Sequence, residues 1–352
     1  MKPPYSIVLI HIFSINFFFL PYEIKTFTSF HFCHWPYTAA CRKGYNPIPD
    51  KPIPVDVYTA GYTTASNGNL VATYWKNGAA TKVGDSTINS VAYSITVSGG
   101  DVYMAGYTRA QTGNQTASYW KNGTLTKLGD PNAVTRAYSI TVSAGDVYVA
   151  GTIGNFGVTA MYWKNGVATM LGNASSFSGA DAIAVKGNNV YVAGYSNNNY
   201  ATFWKNGKDT VLAATDIGNA ADIALYNGDI FIAGFVGSTG GALFWKNGMP
   251  VTLPEDGAPL VANAIAVNGT GLYVSGNNNG QYGVYWRNGV LNKLPASTLV
   301  DDIAANGYDV YLAGAQTDAS LGTSNAVYWI NGKVVKLSKN AEAHSIVVVP
   351  KF

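Results

Sequence analysis

Cysteine and histidine are almost missing from most of this 352-residue chain. Both cysteines, Cys33 and Cys41, and three of the four histidines lie within the first 41 residues, which leaves His344 alone in the remainder. A body without thiols has no disulfide framework. It also lacks the parts for a zinc site or a nucleophilic triad, which combine histidine with cysteine or a second base. Glutamate is nearly as scarce, with only Glu255 and Glu342 beyond residue 55. Charged residues make up 12% of the chain. The formal +3 comes from the first 55 residues, where Lys2, Lys25, Arg42, Lys43 and Lys51 face Glu23 and Asp50, and the rest balances at 17 of each sign. A neutral body offers no electrostatic footprint for nucleic acid, so none is expected as a partner.

Long apolar runs are also missing, with one exception. Residues 6–20, "SIVLIHIFSINFFFL", are too short to span a bilayer but match the core of a signal peptide, and Lys2 precedes them. Further on, "YTAACRKG" sets Cys41 behind small residues, and "NPIPDKPIP" (46–54) reads as a stiff proline-rich tether. The expected organisation is a leader over 1–41, a tether over 42–55 and one domain over 56–352.

What the body does have is glycine, tyrosine and a recurring phrase. "ATYWKNGAATKVG" at residue 72 returns six more times in the forms YWKNG, FWKNG, YWRNG and YWING, and places tryptophans at 75, 120, 163, 204, 245, 286 and 329. A spacing of 41–45 residues between successive tryptophans, held over seven copies, marks a repeat architecture. Each copy carries four strand signals. In the second, "AYSITV" (92–97), "DVYMAGY" (101–107), "TASYWK" (116–121) and "TLTKL" (124–128) are separated by Ser-Gly-Gly, a variable loop and Asn-Gly. Asn-Gly between alternating apolar runs is the strongest short hairpin signal, because a type I′ turn needs positive φ at both central residues. The tryptophans suit the layer between stacked sheets, as core and not as a ligand platform.

The two ends of the chain complete the count. The first copy starts at "DVYTAGY" (56–62) without its leading strand, and the chain finishes on an unpartnered "AHSIVVV" (343–349). Supplying the missing strand from the C-terminus gives an all-β, seven-bladed β-propeller of four antiparallel strands per blade. Closure removes the open sheet edge that would invite aggregation. A monomer is expected.

These repeats, with "GTLTKLG" after Trp120 and "AYSITVSAGDVYVAG" (137–151), resemble the extracellular HAF-type and SBBP-type β-propeller repeats of bacteria over residues 56–349. Cys41 in its setting is similar to the lipidated cysteine of Bacteroidetes surface lipoproteins, although Thr38 stands where Leu is usual. The resemblance implies an exported protein of the cell envelope or outer surface, attached if at all through a lipid on Cys41, with repeat-built binding surfaces. It supplies no reaction. The Trp-Asp dipeptide of intracellular propellers and the Asp-box of sialidases are both absent.

Binding is therefore the expected function, of a protein or an adhesion partner at the envelope, through the face of the ring that carries the variable loops. Lectin-like glycan binding by the variable loops and carboxylate-based glycan chemistry are the alternatives, and no cofactor or metal is expected. Asp56, Asp101, Asp146, Asp229 and Asp309 follow hairpin turns and read as structural. The candidate site comes from asking where the repeat stops repeating. Aligned on the isoleucines of the leading strand (Ile95, Ile140, Ile183, Ile223, Ile265, Ile303, Ile346), the position two residues earlier reads Tyr93, Tyr138, Asp181, Ala221, Asn263, Asp301 and His344. Identical packing would not call for such unlike side chains. The expectation is a polar ligand site at the start of the inner strands, by the channel mouth. Asp301 and Tyr93 should flank His344 there.

Overall fold

The computed structural model describes residues 54–351 apart from 131, 155–157, 173–176, 197–198, 239–240, 279–280, 319 and 321. The expected leader, Cys41 and all but the last two residues of the tether lie outside these residues. Within them 28 strands form seven four-stranded antiparallel sheets, and there is no α-helix. The sheets are the blades of a seven-bladed β-propeller. Blade 1 contains the closing strand, and blades 2 to 7 follow in chain order.

Ring closure occurs where the count of strand signals requires it. Ala341–Pro350 pairs antiparallel with Val55–Thr64, from Val55 opposite Pro350 to Thr63 opposite Ala341. Each blade then runs outward to a short edge strand. Those of blades 1, 3, 4 and 5 are four residues long and fully exposed, which keeps the unpaired edge small.

The recurring phrase is now accounted for residue by residue. Asn and Gly close the outer hairpin with both residues left-handed, φ 50° at Asn77 and 87° at Gly78, and the same holds for the other six copies. The tryptophan is core: the seven range from 0% to 2% exposed. Trp163 packs with Val149 and Ile140 of its own blade and with Tyr103, Ala105 and Ala117 of blade 2, so it belongs to the seam between blades. At the closure seam, Trp75 in blade 1 donates its indole N–H to Ser338 Oγ of blade 7 at 3.0 Å.

Lysine and asparagine then tie the turn to the aspartate on the second strand. In blade 2, Asn122 Nδ2 donates to Asp101 Oδ1 at 2.7 Å, and Asn122 Oδ1 accepts the Val102 N–H at 2.9 Å. Lys121 meets Asp101 Oδ2 at 2.9 Å and lies over the Tyr103 ring. Asp56, Asp146 and Asp229 repeat the arrangement. In blade 4, Asn189 takes the aspartate's place and accepts from Asn206 at 2.8 Å. These acidic residues have a framework role in every blade that keeps them.

Candidate functional site

All seven inner strands carry the same irregularity. Pairing with the second strand slips by one residue between Ala92 and Ser94, Ala137 and Ser139, Ala180 and Ala182, Ala220 and Asp222, Ala262 and Ala264, and Val300 and Asp302, and the closing strand slips between Ala343 and Ser345. The residue skipped each time is the divergent one: Tyr93, Tyr138, Asp181, Ala221, Asn263, Asp301 and His344. A β-bulge takes one residue out of the ladder and re-aims its side chain. Here the bulges aim all seven inward.

Opposite each bulge stands a glycine of the second strand, preceded by alanine in six blades and by Ser275 in blade 6. A Cβ on Gly61, Gly106, Gly151, Gly194, Gly234, Gly276 or Gly314 would lie 1.8–2.1 Å from the carbonyl oxygen two residues before the bulged residue. The small residue thus makes room for the bent backbone of the inner strand.

The six candidate residues and Ala221 line one cavity of about 120 Å³, together with the residue that follows each of them. The site lies deeper than the sequence places it. Tyr93 is the fifth residue of Asn89–Ser98 and His344 the fourth of Ala341–Pro350, so the ring sits within the strands and not at their loop ends. A larger groove, about 560 Å³, opens beside the outer strands of blade 7, lined by Gln316, Asn325 and the exposed Lys336 and Lys339. No polar side chains of several blades converge there.

The following residues form a second ring that sequence reasoning missed. They are Ser94, Ser139, Ala182, Asp222, Ala264, Asp302 and Ser345, and the five polar ones bind one blade to the next. The bulge leaves the N–H of each buried isoleucine without a ladder acceptor, and for five of the seven the preceding blade supplies one. Ser94 Oγ accepts from Ile140, Ser139 Oγ from Ile183 and Ser345 Oγ from Ile95, at 3.2–3.3 Å. Alanine at 182 and 264 cannot accept. There the next blade replaces serine with aspartate: Asp222 takes the N–H of its own neighbour Ile223 on Oδ1 and that of Ile265 on Oδ2, both at 2.8 Å. Asp302 does the same for Ile303 and Ile346 at 2.7 and 2.8 Å, and also accepts from the Ser345 hydroxyl. Seven donors meet seven acceptors. The signal in the sequence was that each aspartate follows, one blade later, an alanine at the same position.

Charge in the channel is unevenly placed. On the arc of blades 1 to 3, His344, Tyr93 and Tyr138 follow one another with ring centroids 5.5 and 5.6 Å apart and tilted by 41–49°. Tyr62 and Tyr107 extend this aromatic arc at 5.8 Å from His344 and 5.9 Å from Tyr93. The remaining arc is acid and amide: Asp181, Asn263 and Asp301, with Ala221 as its smallest member. His344 Nδ1 lies 2.8 Å from Asp301 Oδ2, and Nε2 lies 3.9 Å from Glu342. Thus Asp301 and Tyr93 do flank His344. Burial favours the neutral imidazole, but the hydrogen bond and charge of Asp301, aided by Glu342, outweigh it and raise the pKa. Burial pushes Asp181 up to about 6, against a hydrogen bond from Asn219. It pushes Asp222 up to about 7, with repulsion from Asp302 adding to it, and Asp302 up to about 6.

Among the aromatic residues near the loops, Tyr282 is 8% exposed and donates to Asp256. Phe177 is exposed and tilts against Tyr195 at 5.7 Å, and Phe156 lies outside the described residues.

Fold and cavity together define a β-propeller with a polar, asymmetric channel. No protein-family model and no curated protein matches the chain. Among solved structures it is similar to a puromycin-hydrolyzing peptidase of Mycobacterium tuberculosis, at 12% identity and TM-score 0.55 over 81% of this chain. The match covers 52% of the peptidase, so the chain spans about half its length. It is also similar to a Bacteroides uniformis protein assigned as a 6-phosphogluconolactonase (13% identity, TM-score 0.46, 84% of this chain and 99% of that one). A third similarity is to a chain of a nidogen–laminin complex (10% identity, TM-score 0.41, 83% and 98%). At such identities the likeness is one of fold.

Proposed function

We propose that this chain is an exported, non-enzymatic binding propeller that makes protein or adhesion contacts at the cell envelope and receives part of its partner in the channel. The contrast between two kinds of position carries this reading. Side chains with an invariant framework duty repeat around the ring, namely the tryptophans and the glycines facing the bulges, and where the second ring varies each change is matched by its neighbouring blade. The bulged residues do not repeat, yet the fold gathers all seven around one cavity. Divergence confined to a shared concave surface is what ligand recognition requires. Export rests on the leader sequence, and a lipid on Cys41 would be the anchor.

Catalysis by a carboxylate pair is the weaker reading, because most carboxylates here are already engaged. Asp222 and Asp302 each hold two backbone N–H groups, and Asp301 holds His344. Neither a free nucleophile nor a free base is left beside a free acid.

A glycan array and an affinity capture from envelope fractions test the proposal, each run with the wild-type protein and with the folded triple variant Asp181→Ala, Asp301→Ala, His344→Ala. The proposal expects a specific envelope protein to be retained by the wild type and at least tenfold less by the variant. Binding of a glycan in place of a protein would favour the lectin-like alternative. Undiminished capture by the variant would move the site out of the channel.

A further inference from the structure

We infer that the group received in the channel is a positively charged terminal group, an ammonium or guanidinium, carried on a longer molecule. The inference rests on the channel being the binding site and goes on to name the chemistry of what enters it.

Size comes first. An engineered apolar cavity of about 150 Å³ accommodates one benzene, and the channel cavity offers about 120 Å³. A head group of a few heavy atoms fits in it. The narrowest demand on space is relaxed at blade 5, where the bulged residue is only Ala221. In a ring of seven, blade 5 lies across from blades 1 and 2. The open side of the cavity therefore faces His344 and Tyr93.

The walls then select charge. Tyr93 and Tyr138 stand side by side on one wall of the cavity, their rings tilted at 5.6 Å. The opposite arc presents acceptors. Asp181, Asn263 and Asp301 line the cavity on this side. A cationic nitrogen group carries donors only, which is the complement of this surface. Anions are opposed by the same carboxylates, Arg136 is already bonded to Gln115, and the charge of a protonated His344 is met by Asp301 at 2.8 Å. A metal ion is a poorer match: no three His, Cys, Asp or Glu side chains among the described residues are grouped to hold one.

The charged group can sit on a free amine or on a lysine or arginine of a partner protein, and titration calorimetry with the full chain separates the two. N-acetyl-arginine amide, N-acetyl-lysine amide and butylamine serve as probes, with N-acetyl-citrulline amide as the neutral match to arginine. The expected result is measurable binding of a cationic probe, at least tenfold tighter than citrulline, and its loss in Ala221→Leu, which fills the cavity without touching a charge. Amino-acid amides binding more tightly than butylamine identify a protein side chain as the source, and the reverse identifies a free amine. Equal binding of arginine and citrulline, no binding of any cation, or undiminished binding in Ala221→Leu overturns the inference. The citrulline comparison needs no variant, so it holds even if Ala221→Leu is unstable. Should a captured partner be lost in Ala221→Leu yet not be displaced by the cationic probes, only the charge assignment fails and the channel reading stands.

Discussion

Asp302 of blade 7 accepts the backbone N–H of Ile346 at 2.8 Å, and so joins the last blade to the strand that the end of the chain contributes to the first. With its other oxygen it holds Ile303, whose N–H finds no acceptor on Ala264. One carboxylate thus serves two blades.

This pairing predicts a compensation. Asp302→Ser keeps an acceptor for Ile346 but strands the Ile303 N–H, at a cost of about 1–3 kcal/mol for an unsatisfied buried donor. Ala264→Ser alone should change little. Combined, the two substitutions recreate the serine arrangement of blades 2 and 3, and the double variant should regain about 1–2 kcal/mol over Asp302→Ser. Urea unfolding of the four proteins measures this, and strict additivity would show that the two sites do not share a donor.

Trp163→Ala should lower stability by roughly 3–5 kcal/mol, as expected for deleting a large buried side chain, because the indole is 1% exposed in the seam between blades 2 and 3. Ligand affinity should be unchanged in the fraction that folds. A variant of normal stability that had lost binding would assign the tryptophan to a site.

Deleting residues 343–352 removes most of Ala341–Pro350 and leaves the strand Val55–Thr64 as an open inner edge. Cooperative unfolding should disappear rather than shift slightly, as measured by circular dichroism on heating. An unaltered transition would mean that closure adds nothing to the ring.

Stability should increase as pH falls from 8 to about 5. Asp181, Asp222 and Asp302 have folded-state pKa values raised by burial to about 6, 7 and 6, so the folded protein takes up protons that the unfolded chain, near 4, does not yet bind. Each removes stability as pH rises through those values. His344 acts in the same direction: its pKa is raised in the folded state, and its contribution is present below the unfolded value and lost above the folded one. Below roughly pH 4 the trend should reverse, since Asp101, Asp146, Asp229 and Asp256 are held low by hydrogen bonds from their asparagine, lysine or tyrosine neighbours and lose those contacts when protonated. Melting temperatures across pH 3–8 check this, and a steady decline from pH 8 to 5 would contradict it.

Much of the fold was legible because its signals are local. Asn77-Gly78 dictates a turn wherever it occurs, a tryptophan every 41–45 residues reports the repeat, and the unpartnered ends announce the closure. The divergent position was legible for the same reason, since alignment on Ile95 and its equivalents exposes it. Its depth was not. A bulge is a mismatch between two strands, and "AYSITV" read by itself shows only alternation, so Tyr93 was expected at a strand end when it stands within one. Asp222 and Asp302 stayed hidden for a related reason. Their use is set by what the preceding blade lacks, and that relation appears only once the blades are brought side by side.

Ala221 offers the most direct test of the central claim, that the bulged residues surround a binding site. Ala221 is one of the residues that line the channel, as are Ala182 and Ala264. In protein labelled with ¹³C at the alanine methyls, titration with N-acetyl-arginine amide, or with a partner once captured, should move the Ala221 signal first and most. Alanines distant from the channel, such as Ala79 and Ala168 on the outer strands, should stay fixed. Saturating binding that shifts outer-strand methyls and leaves Ala221, Ala182 and Ala264 unmoved would contradict the account.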